Sequence, residues 1–365
     1  MKDETTIKAI ALYLPQYHPI NENDEWWGKG FTEWTNVGKA KPLFKGHDQP
    51  KVPGDLGYYD LRVPEVRLEQ ARMAKEHGID GFCYYHYWFG HGRQLLERPF
   101  NEVLQSGSPD FPFMLCWANE SWHSKFWKME GSFISKEMLM EQTYGDSKEY
   151  EDHFYALLEA FKDKRYIKID NKPAFMIYKP LDFPEVANFI KKWQELAVQN
   201  GLDGIYFIGQ YRSPEKFREQ ILNKGFDAVN PVHILEFLYH RNFFERKIIK
   251  KIRKWRHTPI IVKYKEAMKY FNIEEDNYPD VFPTIIPNWD HTPRSQKDGI
   301  VIDQSTPQLF KEHVEQVFSQ LAHKKGHKIC FIKSWNEWGE GNYMEPDLKY
   351  GKAYLSAFKE IKNRY

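Results

Sequence analysis

Eight short apolar runs constrain this sequence more than any other feature. They are Ile7–Leu14, Gly81–Tyr87, Phe113–Trp117, Ala174–Tyr178, Gly204–Gly209, Ala228–Ile234, Phe282–Pro287 and Ile329–Trp335. Each is short and rich in β-branched or aromatic residues, the pattern of a strand buried on both faces. Helical periodicity fills most of the intervals. Pro64–His77 carries Val66, Ala71 and Ala74 on one stripe, with Pro64 placed as a first-turn residue. Asp182–Asn200 carries Val186, Phe189, Ile190, Trp193 and Ala197, and Gly201 stops it. Gln308–Ala322 repeats Leu309, Val314, Val317 and Leu321. Strands alternating with helices imply parallel pairing. Eight of them in 365 residues imply an α/β fold, a single (β/α)8 TIM barrel with long βα loops and one domain over residues 1–365.

Three segments break the alternation. The connection after the first run is about fifty residues long and holds Glu25-Trp26-Trp27-Gly28 and Phe31-Thr32-Glu33-Trp34. Loops of that length inside a domain are usually functional. A helix over Tyr144–Arg165 precedes a hairpin at Ile169-Asp170-Asn171-Lys172. Arg241–Arg256 has eight Lys/Arg and one acid, with Phe244, Ile248, Ile252 and Trp255 at helical spacing. Its two readings are an outer helix with a solvated cationic face and a peripheral contact with an anionic membrane surface.

The net charge of +1 excludes a global field toward nucleic acid. The three cysteines, Cys83, Cys116 and Cys330, fall inside expected strands and lack disulfide-framework spacing. Met-Lys-Asp-Glu-Thr-Thr is no signal core, and no run is long enough to span a membrane. The expected address is cytoplasmic, or periplasmic if a signal peptide has been trimmed.

Aromatic residues make up 16% of the chain, and they cluster where the strands end. In a barrel those C-terminal ends form the functional mouth. The first strand ends with Tyr13, Gln16, Tyr17 and His18; the second with Tyr85, His86, Tyr87 and Trp88. The third ends with Trp117, Asn119 and Glu120, the fourth with Tyr178, and the fifth with Gln210. The seventh ends with Trp289, Asp290, His291 and Arg294, and the eighth with Trp335-Asn336-Glu337-Trp338-Gly339-Glu340-Gly341. Rings stack on the C–H faces of sugars, and amides and acids hold hydroxyls. These residues, with Trp34 from the long connection, are the candidate contacts to an oligo- or polysaccharide.

Glu337 and Glu340 are the candidate catalytic carboxylates, since glycoside cleavage usually needs two acids within roughly 5–10 Å. Glu120 competes for one role, and an orienting or hydroxyl-binding task suits it better. His18, His86, Asp290 and His291 show no close metal-ligand spacing, so no metal and no cofactor is expected. No phosphate-cradling glycine loop follows the first strand, and no Gly-x-Ser-x-Gly elbow occurs.

Several stretches resemble the WbsX family of glycoside hydrolase family 99-like proteins. They are Tyr13-Leu14-Pro15-Gln16-Tyr17-His18-Pro19, Glu25–Trp34, Gly81–Trp88, Trp117-Ala118-Asn119-Glu120 and Trp335–Gly341. More distant relatives are the family 99 endo-α-1,2-mannosidases and mannanases, which are metal-independent retaining (β/α)8 enzymes. The resemblance implies Glu340 as general acid/base. It implies that Glu337 assists the substrate's 2-hydroxyl in forming a 1,2-anhydro sugar. Gly339 and Trp335 stand where those enzymes have His and Phe. The leading expectation is a retaining α-glycosidase acting on a bacterial surface polysaccharide or related glycan. A glycosyltransferase or transglycosylase of O-antigen or capsule assembly and a non-catalytic glycan-binding barrel are the alternatives.

Overall fold

All eight apolar runs form strands in the computed structural model, which describes residues 6–127, 133–212, 217–240 and 258–365. The basic segment 241–256 lies outside the described residues. The strands are Lys8–Tyr13, Gly81–Trp88, Phe113–Trp117, Lys172–Ile177, Tyr206–Arg212, Ala228–Val232, Thr284–Ile285 and Ile329–Ile332. Every residue of the second, third, sixth, seventh and eighth is buried, as strands covered on both faces require. The seventh is only two residues long because Pro283 and Pro287 cannot donate to a ladder. The fold is an eight-stranded parallel (β/α)8 barrel of the α/β class.

Two compact units divide the chain. One comprises Met1–Asp80, Arg212–Pro214 and Pro231–Tyr365; the other comprises Gly81–Tyr211 and Glu215–Asn230. In the first unit the eighth strand lies between the first and the seventh, all parallel, with Lys8 opposite Ile329 and Thr284 opposite Phe331. A side sheet pairs Ile260–Lys263 with Ile300–Asp303 in parallel and adds Trp289–Asp290 antiparallel. In the second unit the second to fifth strands pair in sequence order, all parallel.

The helices follow the expected stripes and differ at their ends for local reasons. Ser147–Lys162 begins where Asp146 accepts from the backbone N–H groups of Lys148 and Glu149. Val186–Gln199 buries all five expected apolar residues but starts four residues late. Pro184 forces Phe183 into an extended conformation, so Pro180–Asp182 forms a separate 3-10 turn. Pro307–His323 starts from the Thr306 hydroxyl, which accepts from Leu309 N–H. The hairpin at 169–172 is present, with Asp170 and Asn171 both left-handed as a tight two-residue turn requires. The three cysteines are buried free thiols. No helix among the described residues is long and apolar enough to cross a membrane.

The long connection after the first strand is largely structured. It carries helices Asn21–Trp27, Glu33–Lys39 and, at its end, Pro64–Glu76. Trp34, expected to wall a sugar site, is half-buried and packs against neighbouring rings. Its ring lies 4.8 Å from Tyr17, 5.1 Å from Tyr59 and 5.5 Å from Trp338, and its Nε1–H donates to the Tyr59 carbonyl at 2.8 Å. The connection therefore plugs its own unit. Trp34→Ala should destabilise the protein by roughly 1–3 kcal/mol, short of a fully buried aromatic because the ring is only half-buried. Urea unfolding without glycan measures this, and an unchanged midpoint would return Trp34 to a surface role.

Candidate active site

The eighth strand delivers its polar residues into a tight hairpin. Asn336–Glu337 pairs antiparallel with Asn342–Tyr343, and Trp338–Glu340 forms the 3-10 turn between them. Gly341 closes the turn in a left-handed conformation, and a Cβ there would stand 2.7 Å from Asp290 Cβ. Asn336 is spent on anchoring: its Oδ1 accepts from Leu14 N–H at 2.7 Å and its Nδ2 donates to Leu14 O at 3.0 Å. The Ser334 hydroxyl accepts from Glu337 N–H and donates to Asn342 O. The backbone at Glu337 is thus fixed from both sides.

Glu337 and Glu340 are 5% and 6% exposed, and a buried carboxylate persists only beside cations or donors. Lys333 Nζ reaches Glu337 Oε2 at 2.9 Å. Arg294 Nη1 donates to Glu340 Oε1 at 2.7 Å and lies 3.7 Å from Glu337 Oε1. One guanidinium nitrogen thus touches both acids, 2.7 Å from one and 3.7 Å from the other, and so holds the two carboxyls close together. Arg294 Nε donates to a third buried carboxylate, Glu33, at 2.8 Å. His291 Nε2 stands 3.5 Å from Glu340 Oε1. Glu340 Oε2 is buried without a hydrogen-bond partner among the described residues.

This asymmetry separates the two acids. Burial pushes Glu337 up, and the Glu340 charge adds to that; Lys333 and Arg294 only partly offset it. Burial also acts to raise Glu340, but Arg294, His291 and Lys333 outweigh it and hold the carboxyl well below its usual range. Glu337 is thus the member that holds its proton more tightly and Glu340 the one more readily ionised. The resemblance implies the opposite distribution.

Beneath the pair lies a buried polar layer. Tyr17 donates its hydroxyl to the Asn336 carbonyl and accepts from Trp338 N–H. Glu345 Oε2 accepts from Trp338 Nε1 at 2.6 Å and from the Tyr59 hydroxyl at 2.9 Å, and its Oε1 accepts from Gln70 Nε2 at 2.7 Å. The Tyr13 hydroxyl donates to Gln70 Oε1. Burial pushes Glu345 up to about 7 even though Trp338, Gln70, Tyr59 and Trp335 favour its charged form. Asp290 accepts from His47, Gln49 and Thr292. These donors outweigh its burial and keep it below the usual range. A cavity of about 210 Å³ runs beside Asp290 and Gly341, lined also by Asp48, Lys51, Tyr343 and Lys349.

Several expected sugar contacts are corrected by burial. Trp335 and Trp338 are fully covered, and Trp338 stacks on Tyr343 with centroids 3.8 Å apart. Tyr13, Tyr17 and Asn336 likewise face protein, and His18 Nδ1 sits 3.1 Å from Pro15 O. Trp289 is buried beside His291, while Gln16 is half-buried. A ring packed inside cannot stack on a sugar without unfolding its surroundings.

The candidates in the other unit form their own cluster. His86 and His153 meet at 2.9 Å, and burial keeps His86 neutral, lowered to about 3. Trp88 Nε1 donates to Glu149 and Trp117 Nε1 to the Trp88 carbonyl. Asn119 both donates to and accepts from the Lys179 backbone, and Gln210 donates to Asn230. These five side chains are buried and hydrogen-bonded within the protein. Tyr85 meets Tyr178 edge-on, as Tyr87 meets Trp122. Glu120 pairs with Lys179 at 2.7 Å and is 42% exposed, so it is no buried acid.

Sequence reasoning passed over Glu33, Tyr59, Gln70, Lys333 and Glu345. Lys333, four residues before Glu337, and Glu33, inside a quoted motif, were open to notice; Tyr59, Gln70 and Glu345 carry no local signal. Among the described residues no group of three or more His, Cys, Asp or Glu side chains is placed to hold a metal ion.

The model of the family described as Glycosyltransferase WbsX matches residues 9–358. Uncharacterized protein WxcX of Xanthomonas campestris pv. campestris is 33% identical over 365 residues, a match covering 97% of this chain and 49% of the relative. The same figures hold in a second strain, so the chain spans about half the length of the curated relatives it matches. Among solved structures, the family 99 endo-α-mannosidase of Bacteroides thetaiotaomicron in complex with bis-tris-propane has a TM-score of 0.59 at 14% identity. That match covers 100% of this chain and 98% of the other. A glycoside hydrolase-like protein has a TM-score of 0.58 at 16% identity, covering 98% of this chain and 94% of that one. At these identities the likeness is one of fold.

Two outcomes follow from the geometry. A Cβ on Gly339 would stand 1.5 Å from Glu33 Oε1, so Gly339→Ala should destabilise by about 2–4 kcal/mol. Most of that penalty should vanish in a Glu33→Ala background; an additive pair in denaturant titrations would refute the contact. Glu345, at about 7, holds its proton more tightly than an unfolded glutamate near 4.3. Its stabilisation is complete below about pH 4 and is lost as pH rises through 7, by about 3 kcal/mol. Glu345→Gln should flatten the fall in melting temperature across that window, and an unaltered slope would assign the titration elsewhere.

Proposed function

The chain belongs to the WbsX glycosyltransferase family, and on that premise we propose that it cleaves an α-linked glycan as a retaining glycosidase. Family and fold support the reading of a glycan-active enzyme. The observation that carries the finer reading is the buried pair Glu337 and Glu340, bridged by Arg294 and shifted in opposite directions in their hold on a proton. A site that only bound glycan would gain nothing from two buried acids so divided. The proposed catalytic domain is the barrel of residues 1–365, and its substrate class is a bacterial surface polysaccharide or related glycan.

The ligand-free electrostatics favour Glu337 as the proton donor. In the proposed reaction Glu337 protonates the glycosidic oxygen as the C1–O bond breaks. The substrate's 2-hydroxyl gives its proton to Glu340 and bonds to C1, forming a 1,2-anhydro sugar. Water then attacks C1 and gives a proton to Glu337, while Glu340 returns its proton to O2. Each acid ends as it began, and the anomeric configuration is retained after two inversions. Arg294 keeps Glu340 ionised between turnovers. Transfer to an acceptor hydroxyl in place of water is the second reading, and the family's description favours it.

Leaving-group dependence tests the assignment. Glu337→Gln should lose about 10²–10⁴-fold on an unactivated α-glycan and far less with a good leaving group. Glu340→Gln should lose similarly on both. With Glu337 raised and Glu340 lowered, the first should set the basic limb of the pH–rate profile and the second the acidic limb. The mirror-image result would return the acid role to Glu340. Transfer from a sugar nucleotide, with no hydrolysis of any α-glycan, would replace the glycosidase reading with the transferase one.

A further inference from the structure

Glu345 lies five residues beyond Glu340 on the returning side of the hairpin, where it touches neither candidate acid. It is nonetheless heavily engaged. Three donors from three parts of the chain converge on it: Trp338 of the hairpin itself, Tyr59 of the first connection and Gln70 of the helix Pro64–Glu76. Two of these partners bracket Glu337. Trp338 follows it directly. Tyr59 accepts at its hydroxyl from Nδ2 of Asn336, which precedes it. Tyr17 joins the same residues from above by donating to Asn336 O and accepting from Trp338 N–H.

We propose that Glu345 is a positioning residue that aims Glu337, acting through Trp338 on one side and through Tyr59 and Asn336 on the other. This rests on the reading of Glu337 as proton donor. A small tilt of a catalytic acid is enough to lower rate without lowering affinity. Buried networks of this kind hold one geometry only while every member is satisfied. Removing the carboxylate would leave the Trp338 indole N–H and the Gln70 amide without acceptors inside the protein. The Tyr59 hydroxyl would be free to turn away from Asn336. The titratable groups facing Glu345 are Tyr17 and Tyr59, both raised first by burial and then by nearby carboxylate charge, so both are neutral donors at ordinary pH. No cation is among the causes acting on Glu345, whose orientation is therefore set by neutral donors.

The test uses the full chain with glutamate side-chain carboxyls labelled by ¹³C. Glu345→Ala should move the Glu337 titration toward the ordinary carboxylate range, whereas Glu345→Gln should keep it near wild type. The amide of that variant still accepts from Trp338 and Tyr59, with the Gln70 amide turned over. On an α-mannan oligosaccharide, Glu345→Ala should lose at least about tenfold in kcat with KM within about twofold, and Glu345→Gln should recover most of the loss. If Glu345→Ala does not fold, Trp338→Phe and Tyr59→Phe each remove one donor and leave the acid in place. Each should then lower kcat several-fold and shift the Glu337 titration. A folded Glu345→Ala with wild-type Glu337 titration, or an effect on KM alone, overturns the proposal. Wild type that cleaves no oligosaccharide sinks the glycosidase reading instead, and the titration still decides the positioning role.

Discussion

A half-buried guanidinium shared among three buried carboxylates is the interaction on which this site depends. Arg294 takes Glu33 with Nε and spans Glu340 and Glu337 with Nη1. Three acids could not be held out of water together without such a cation, because each uncompensated buried charge is worth several kcal/mol of instability. The clamp joins three connections of one unit: the helix Glu33–Lys39 after the first strand, the turn Thr292–Ser295 after the seventh, and the hairpin after the eighth. It also dictates a residue type. Glu33 occupies the space that any side chain at position 339 would need, so glycine there is a condition of the clamp.

The clamp sets charge, and the layer below it sets direction. Asn336 ties the hairpin to the Leu14 backbone, and Glu345 gathers the residues flanking Glu337. The aromatic richness of the chain serves this layer. Trp34, Trp338, Tyr17, Tyr59 and Tyr343 interlock, excluding water and raising the strength of each polar contact they enclose.

The fold was legible because burial on both faces leaves a plain mark: strands such as Gly81–Trp88 and Ile329–Ile332 are uninterrupted apolar runs. Helix stripes at Val186–Gln199 and Pro307–His323 were equally plain, and only their ends needed the local effects of Pro184 and Thr306. The candidate acids were legible as a pair three residues apart on a strand-end segment. The roles of the rings were not. Composition cannot tell a Trp that faces a cleft from one, like Trp338, that packs on Tyr343 and donates inward to Glu345. Nor could sequence assign the proton. That depends on Arg294 and Lys333 approaching different oxygens, which only three-dimensional placement decides. Glu33, Gln70 and Glu345 acquire their parts through partners hundreds of residues away.

The central claim is that two buried carboxylates, shifted in opposite directions, cleave an α-glycan with retention. Time-resolved ¹H NMR of the enzyme acting on an α-linked oligosaccharide reads it most directly, since the anomer released first precedes mutarotation. The account predicts that the α-anomer of the new reducing end appears first and that the β-anomer grows in only as the sugar equilibrates. First release of the β-anomer would contradict it.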